Sequence, residues 1–146
     1  MRNRLNATFE RASGLQADAE LLSDFARYLC VLVSGFLEQA VFELAMEHVR
    51  RQSSPSIQHY AEGRLRLFRN ANTQKLLDLL GGFDEGWRRD LEGYIVDERK
   101  DAVDSVINLR NTISHGQFVG VTMSRVRSYY KEIDRVVDHI AELCAP

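Results

Sequence analysis

The chain has 146 residues, of which 45% are hydrophobic and 27% charged, and a net charge of −2. That length suits a single domain, residues 1–146, with a core that needs no staples. The charge does not announce a nucleic-acid binder, and the local clusters (Arg50 with Arg51; Arg64, Arg66 and Arg69; Arg88 with Arg89; Arg125, Arg127 and Lys131) read first as solvated helix faces.

Two prolines, Pro55 and Pro146, leave nearly the whole chain free to be helical. Cys30 and Cys144 stand far apart, which suggests neither a disulfide framework nor a zinc site. Cys30, inside an apolar run, is expected in the core. Charges interrupt the first 27 residues, so no secretory signal is visible. The most apolar run, Tyr28 to Leu37, is ten residues long, about half of the ~20 needed to cross a bilayer. A cytoplasmic protein without a membrane partner is the expectation.

In chain order, Arg2 to Ala12 is expected as a short helix, and Ser13 to Gln16 as a break. A long helix is expected from Ala17 to about Arg51. Its Leu22, Ala26, Leu29, Val33, Phe36 and Ala40 form a heptad-like seam, with Phe25, Leu32, Leu37, Val41 and Leu44 filling other directions. A helix apolar nearly all round is expected at the centre of a bundle, with a subunit interface as a second use of its apolar surface. Gly35 in its middle suggests close approach of another helix. After the Gln52 to Ser56 loop, Pro55 or Ser56 starts a helix covering about Ile57 to Phe68. Asn72 or Thr73 caps a short helix over Thr73–Leu80, closed by Gly81 and Gly82. Asp84 to Tyr94 follows, then a long helix from Ile95 to Ser114 ended by Gly116. Thr122 caps the last helix, which runs to about Leu143 with Val126, Tyr129, Tyr130, Ile133, Val136, Val137 and Ile140 as its stripe. The fold class is all-α, a bundle of four main helices plus short ones.

The chemistry concentrates in Ile107 to Gly116, "INLRNTISHG". On an ideal helix Ile95, Ala102, Val103, Val106, Leu109 and Ile113 share an arc roughly 120° wide, and Arg99 and Arg110 fall inside it. An arginine on the core side needs a partner or a wet cleft. Asn111 and His115, four apart, are neighbours, as are Arg110 and Ser114. Asn111 could fix the His115 ring. Histidine near a helix C-terminus can hold and release a proton near neutral pH. An adjacent arginine suits an anionic phosphate. Ordinary C-capping ahead of Gly116 explains much of the same cluster, but it explains Arg110 poorly.

Arg110, Asn111, Thr112, Ile113, Ser114 and His115 match the R-x4-6-H motif of the HEPN superfamily (higher eukaryotes and prokaryotes nucleotide-binding domains), with four residues between arginine and histidine. With Asn111 after the arginine, Asn72 to Phe83 upstream and a long central helix before it, the chain most resembles the RiboL-PSP-type HEPN branch, over roughly Leu15 to Leu143. The resemblance implies a metal-independent endoribonuclease without cofactor, acting on RNA as a homodimer with one composite cleft. Arg110 would bind the scissile phosphate, His115 would serve as base or acid, and Asn111, with Ser114 beside Arg110, would support them. The resemblance also implies toxin, antiphage-defence or RNA-processing systems and a neutralising partner protein. Some branches carry tyrosine two residues after the histidine; here that residue is Gln117, so chemistry that needs the tyrosine does not transfer. Other members only bind RNA or nucleotide, or only assemble.

Glu38, the acid that interrupts the central helix, could face Arg110 or Arg99, as an ordinary ion pair or as a supporting site residue. His48 and His59 lack ligand spacing and are expected at the surface. Asp134, Asp138 and His139 show no triad logic and are expected on a solvent face. Trp87 is expected as a core anchor rather than a base-stacking platform.

Overall fold

In a computed structural model describing residues 1–14 and 18–146, seven helices and no strand occur among the described residues. They are α1 (Arg2–Ser13), α2 (Ala19–Gln52), α3 (Pro55–Leu65), α4 (Thr73–Phe83), α5 (Glu85–Tyr94), α6 (Asp97–Ser114) and α7 (Met123–Cys144). Leu15, Gln16 and Ala17, on which part of the expected break and the expected start of α2 fall, lie outside the described residues.

Most boundaries follow capping chemistry. The Asp18, Asn72, Asp84 and Thr122 side chains each accept a hydrogen bond from a first-turn backbone N–H of α2, α4, α5 and α7 respectively. Pro55 starts α3. Three ends differ from the sequence expectation. α3 stops at Leu65, where two tighter turns carry the chain out: Leu67 N–H donates to the Arg64 carbonyl and Phe68 N–H to that of Leu65. α4 runs through Gly81 and Gly82 to Phe83, because Gly81 serves packing rather than termination. A Cβ there would sit 3.0 Å from Arg88 Cδ of α5. α6 starts at Asp97 rather than Ile95, because Ile95 closes α5 by donating to the Leu91 carbonyl (2.8 Å) and is itself buried.

α2 is the axis of the bundle. Its buried Ala26, Leu29, Cys30, Val33, Phe36, Leu37 and Val41 share one core with Ala102, Val103 and Val106 of α6 and with Val126, Ile133, Val136 and Ile140 of α7. Each valine, leucine, isoleucine or phenylalanine among them contributes about 1.5–3 kcal/mol by leaving water. Burial pushes the Cys30 thiol up to about 11. A smaller cluster (Ala45, Met46, Val49 and Leu65) ties the far end of α2 to α3. By length and composition α2 would also suit a membrane span, yet half of its most apolar window is buried within the bundle. α2 and α6 between them position the candidate site.

Candidate active site

The end of α6 is a backbone cap. Gly116 takes a left-handed φ of 73°, its N–H donates to the Ile113 carbonyl (3.0 Å), and Gln117 N–H donates to that of Thr112 (3.2 Å). This pair of bonds is the Schellman arrangement, and the positive φ favours glycine. Capping therefore accounts for Gly116 without using the side chains of Arg110, Asn111, Ser114 or His115.

Arg110 leaves α6 toward α2. Its Nη2 lies 3.4 Å from Glu38 Oε1, so Glu38 faces Arg110 and not Arg99. Its Nη1 donates to Asn70 Oδ1 at 2.9 Å and more weakly to Asn111 Oδ1 at 3.5 Å. A guanidinium carries five donors, so three contacts leave it capacity for an anion. The side chain is 27% exposed and lines an open cleft of about 410 Å³. Gly35, Glu38, Phe42, Phe68, Arg66 and Arg69 contribute to the same walls. Gly35 does not mark a helix crossing, contrary to the sequence expectation: a Cβ there would meet nothing within 4 Å. Its missing side chain instead keeps the cleft wall open.

Asn70 is the site residue that sequence reasoning missed. It lies in the α3–α4 connector with φ 56°, a left-handed conformation in which asparagine is the residue best tolerated after glycine. Its carbonyl accepts from Asn72 N–H (2.6 Å), which folds the connector so that the amide oxygen meets Arg110. An asparagine just ahead of another helix N-cap was the available signal. It identified a turn but not the turn's partner.

The two expected i,i+4 pairs do not form. Asn111 directs Oδ1 to Arg110, and its tie to His115 is the backbone bond from His115 N–H to the Asn111 carbonyl (3.1 Å). Ser114 is exposed, and Arg110 turns away from it because a buried carboxylate is the stronger partner for a guanidinium. His115 is exposed at the end of α6, and no side-chain hydrogen bond reaches its ring among the described residues. It stands five positions after Arg110, roughly 7.5 Å along the axis and 140° around it.

Two other histidines, His48 and His139, correct the sequence reading. His139 is not on a solvent face: its Nε2 lies 2.6 Å from Asp90 Oδ1, and its ring stacks on Tyr94 at 3.9 Å. Asp134 pairs with Arg2 at 2.7 Å, and burial holds its carboxyl above the usual range in spite of that arginine. His48 is half-buried, edge-on to Phe83 and Trp87, and burial followed by Arg51 lowers its pKa. His59 is exposed, and Trp87 packs against the core. Among the described residues no group of three or more His, Cys, Asp or Glu side chains is placed to hold a metal ion.

Compared with known proteins, the chain matches the family model described as RiboL-PSP-HEPN over residues 2–145. No curated protein and no solved structure matches it.

Proposed function

The chain belongs to the RiboL-PSP-HEPN family, and on that premise we propose that it is a metal-independent endoribonuclease with Arg110 and His115 as its catalytic residues. The observation that carries the reading is Arg110 itself. It stands on the core side of α6, held by Glu38 and Asn70 at the wall of an open cleft, with donors to spare.

In this reading Arg110 binds the scissile phosphate and offsets the charge that grows on it during the reaction. A base removes the proton of the RNA 2′-hydroxyl as its oxygen attacks phosphorus. The bond from phosphorus to the 5′-oxygen breaks, and an acid protonates that oxygen as it leaves. The products are a 2′,3′-cyclic phosphate and a 5′-hydroxyl. His115 supplies the proton transfers. The 140° between Arg110 and His115 favours a composite site, in which a twofold pairing of α6 ends sets one copy's His115 across from the other's Arg110. Two histidines then serve as acid and base. A toxin, defence or RNA-processing role, with a neutralising partner, accords with such a nuclease.

Cleavage of unstructured RNA in EDTA, with end-group analysis, tests the proposal. Wild type should leave cyclic phosphate ends, and Arg110→Ala and His115→Ala should each lose the activity. Equal cleavage by all three would mean a contaminant. A monomer by light scattering at tens of micromolar would remove the composite site. One observation favours a second reading, a module that binds RNA without cutting it: the His115 ring has no orienting hydrogen bond among the described residues. Binding without cleavage, lost in Arg110→Ala, would decide for the module.

A further inference from the structure

We infer that the α3–α4 connector forms a second phosphate subsite, in which Arg69, flanked by Arg66 and Lys75, holds the phosphate of a nucleotide adjacent to the one at Arg110. This rests on the proposed reading of Arg110 as an RNA-phosphate ligand and extends it to the strand on either side.

Arg69 and Arg110 line the same cleft, and they are coupled through a single residue. Asn70 follows Arg69 in the chain and accepts the Arg110 hydrogen bond at 2.9 Å. The left-handed turn at Asn70 therefore fixes the Arg69 backbone relative to the Arg110 guanidinium. The Arg69 side chain is exposed, and its hydrogen bond goes to the carbonyl of Phe68 (2.9 Å), so no carboxylate neutralises it among the described residues. Lys75 Nζ donates to the Arg69 carbonyl (2.9 Å) and brings a second cation against the connector backbone.

Arg66 is already paired with Glu62 and lies over the Phe42 ring at 5.2 Å, so it contributes field and wall rather than a free donor. Of the cleft acids, Glu38 is paired with Arg110, while Glu43 accepts only from the neutral Gln39 Nε2 at 2.8 Å and keeps its charge. Arg69 is the cleft arginine without a carboxylate partner among the described residues, and a second phosphate of the same strand supplies the anion it lacks. Phe42 and Phe68 on the same walls give the intervening base an apolar surface.

The test compares RNA substrates of increasing length. Wild-type kcat/KM on a dinucleoside monophosphate, which carries one phosphate, is set against that on a tetranucleotide with three. Wild type should gain with length, and Arg69→Ala should lose about tenfold of that gain, as for one charge-assisted contact. Arg69→Lys should restore part of it. In binding titrations Arg69→Ala should reduce the slope of log K against log salt by about 0.7, one phosphate contact on a single strand.

If Arg69→Ala matches wild type at every length and salt concentration while Arg110→Ala is inactive, the subsite is overturned and the catalytic reading stands. If wild type binds RNA without cutting and Arg69→Ala still lowers the salt slope, the subsite stands and the catalytic reading falls. If wild type neither binds nor cuts, both fall. Circular dichroism of Arg69→Ala, expected to match wild type because the side chain is exposed, separates these outcomes from misfolding.

Discussion

Arg99 and Arg110 occupy the same face of α6, eleven residues and about 20° apart around the axis, and they meet opposite surroundings. Arg99 is consumed by structure. Its guanidinium lies 4.1 Å from the Tyr94 ring centre, donates to the Tyr94 carbonyl at 3.4 Å, and has Glu132 at 4.0 Å. The groove beside it is walled by Glu98, Asp101 and Glu132, with Arg125 opposite them in charge. Arg110 faces an open cleft whose rim carries Arg66 and Arg69. The groove at the Arg99 end holds three carboxylates and one arginine, whereas the cleft at the Arg110 end holds three arginines and two carboxylates. Residue type and helical face do not distinguish the two arginines; the charge and openness of their surroundings do.

The largest expected effect tests that contrast directly. Arg110→Ala should lower kcat/KM for RNA by at least a hundredfold, the scale for removing a donor to developing charge. Arg99→Ala should leave kcat/KM within about threefold and lower the unfolding free energy by about 1 kcal/mol, the scale of a cation–π contact and a partly exposed ion pair. Steady-state cleavage and urea titration measure the two. A hundredfold loss of activity in Arg99→Ala would erase the distinction between the two ends.

A middle-sized effect concerns how Arg110 is held. Asn70→Gly keeps the left-handed backbone and removes the oxygen that receives Arg110. It should lower kcat about tenfold, as a lost charge-assisted bond would, with little change in melting temperature. Asn70→Asp keeps both oxygen and conformation and should recover most of the rate. Asn70→Ala should cost stability as well, about 1 kcal/mol for a left-handed alanine. Equal rates in all three would make Asn70 a turn residue only.

These contrasts show what could be read beforehand. The helices were legible because α2, α6 and α7 carry long apolar patterns and because Asn72 and Thr122 are strong caps. The position of Arg110 on the core side followed from its angle relative to Val106 and Ile113. Long-range partners were not legible. Nothing local says that a connector asparagine forty residues upstream meets Arg110, or that His139 stacks on Tyr94. The i,i+4 rule proposed Asn111 with His115 and Arg110 with Ser114. Glu38 and Asn70, brought in by the tertiary fold, compete better for the guanidinium than a serine hydroxyl does.

A smaller effect lies between the two arginines. Asp104 accepts from Thr73 N–H at the start of α4 and from Lys100 Nζ, both at 2.8 Å. Burial alone would raise its carboxyl, but these bonds outweigh burial and hold it below its ordinary value of 3.8. A depressed pKa gives stability that is fully present above 3.8 and fades as pH falls through the folded value. Asp104→Asn should therefore be less stable than wild type by about 1 kcal/mol at neutral pH, with the difference closing below pH 3.8. Melting curves from pH 7 to pH 2.5 would show it. A constant gap across that range would assign the loss to shape rather than charge.

The smallest effect asks whether the openness of the Arg110 end is itself used. Gly35 lies inside α2, where alanine is the better helix former by about 0.5–1 kcal/mol. Nothing within 4 Å would obstruct the added methyl. Gly35→Ala should therefore raise the urea midpoint slightly. If stability were all that mattered, the glycine would be a plain defect in the longest helix of the bundle. Its place on the wall shared with Glu38 and Arg110 gives it another use, since an added methyl takes room from the cleft that the guanidinium also lines. Gly35→Ala is then expected to be more stable and to show a few-fold higher KM for RNA with kcat preserved. A gain in stability without a change in KM would mean that substrate does not approach this wall, and that the difference between the two ends of α6 is one of charge alone.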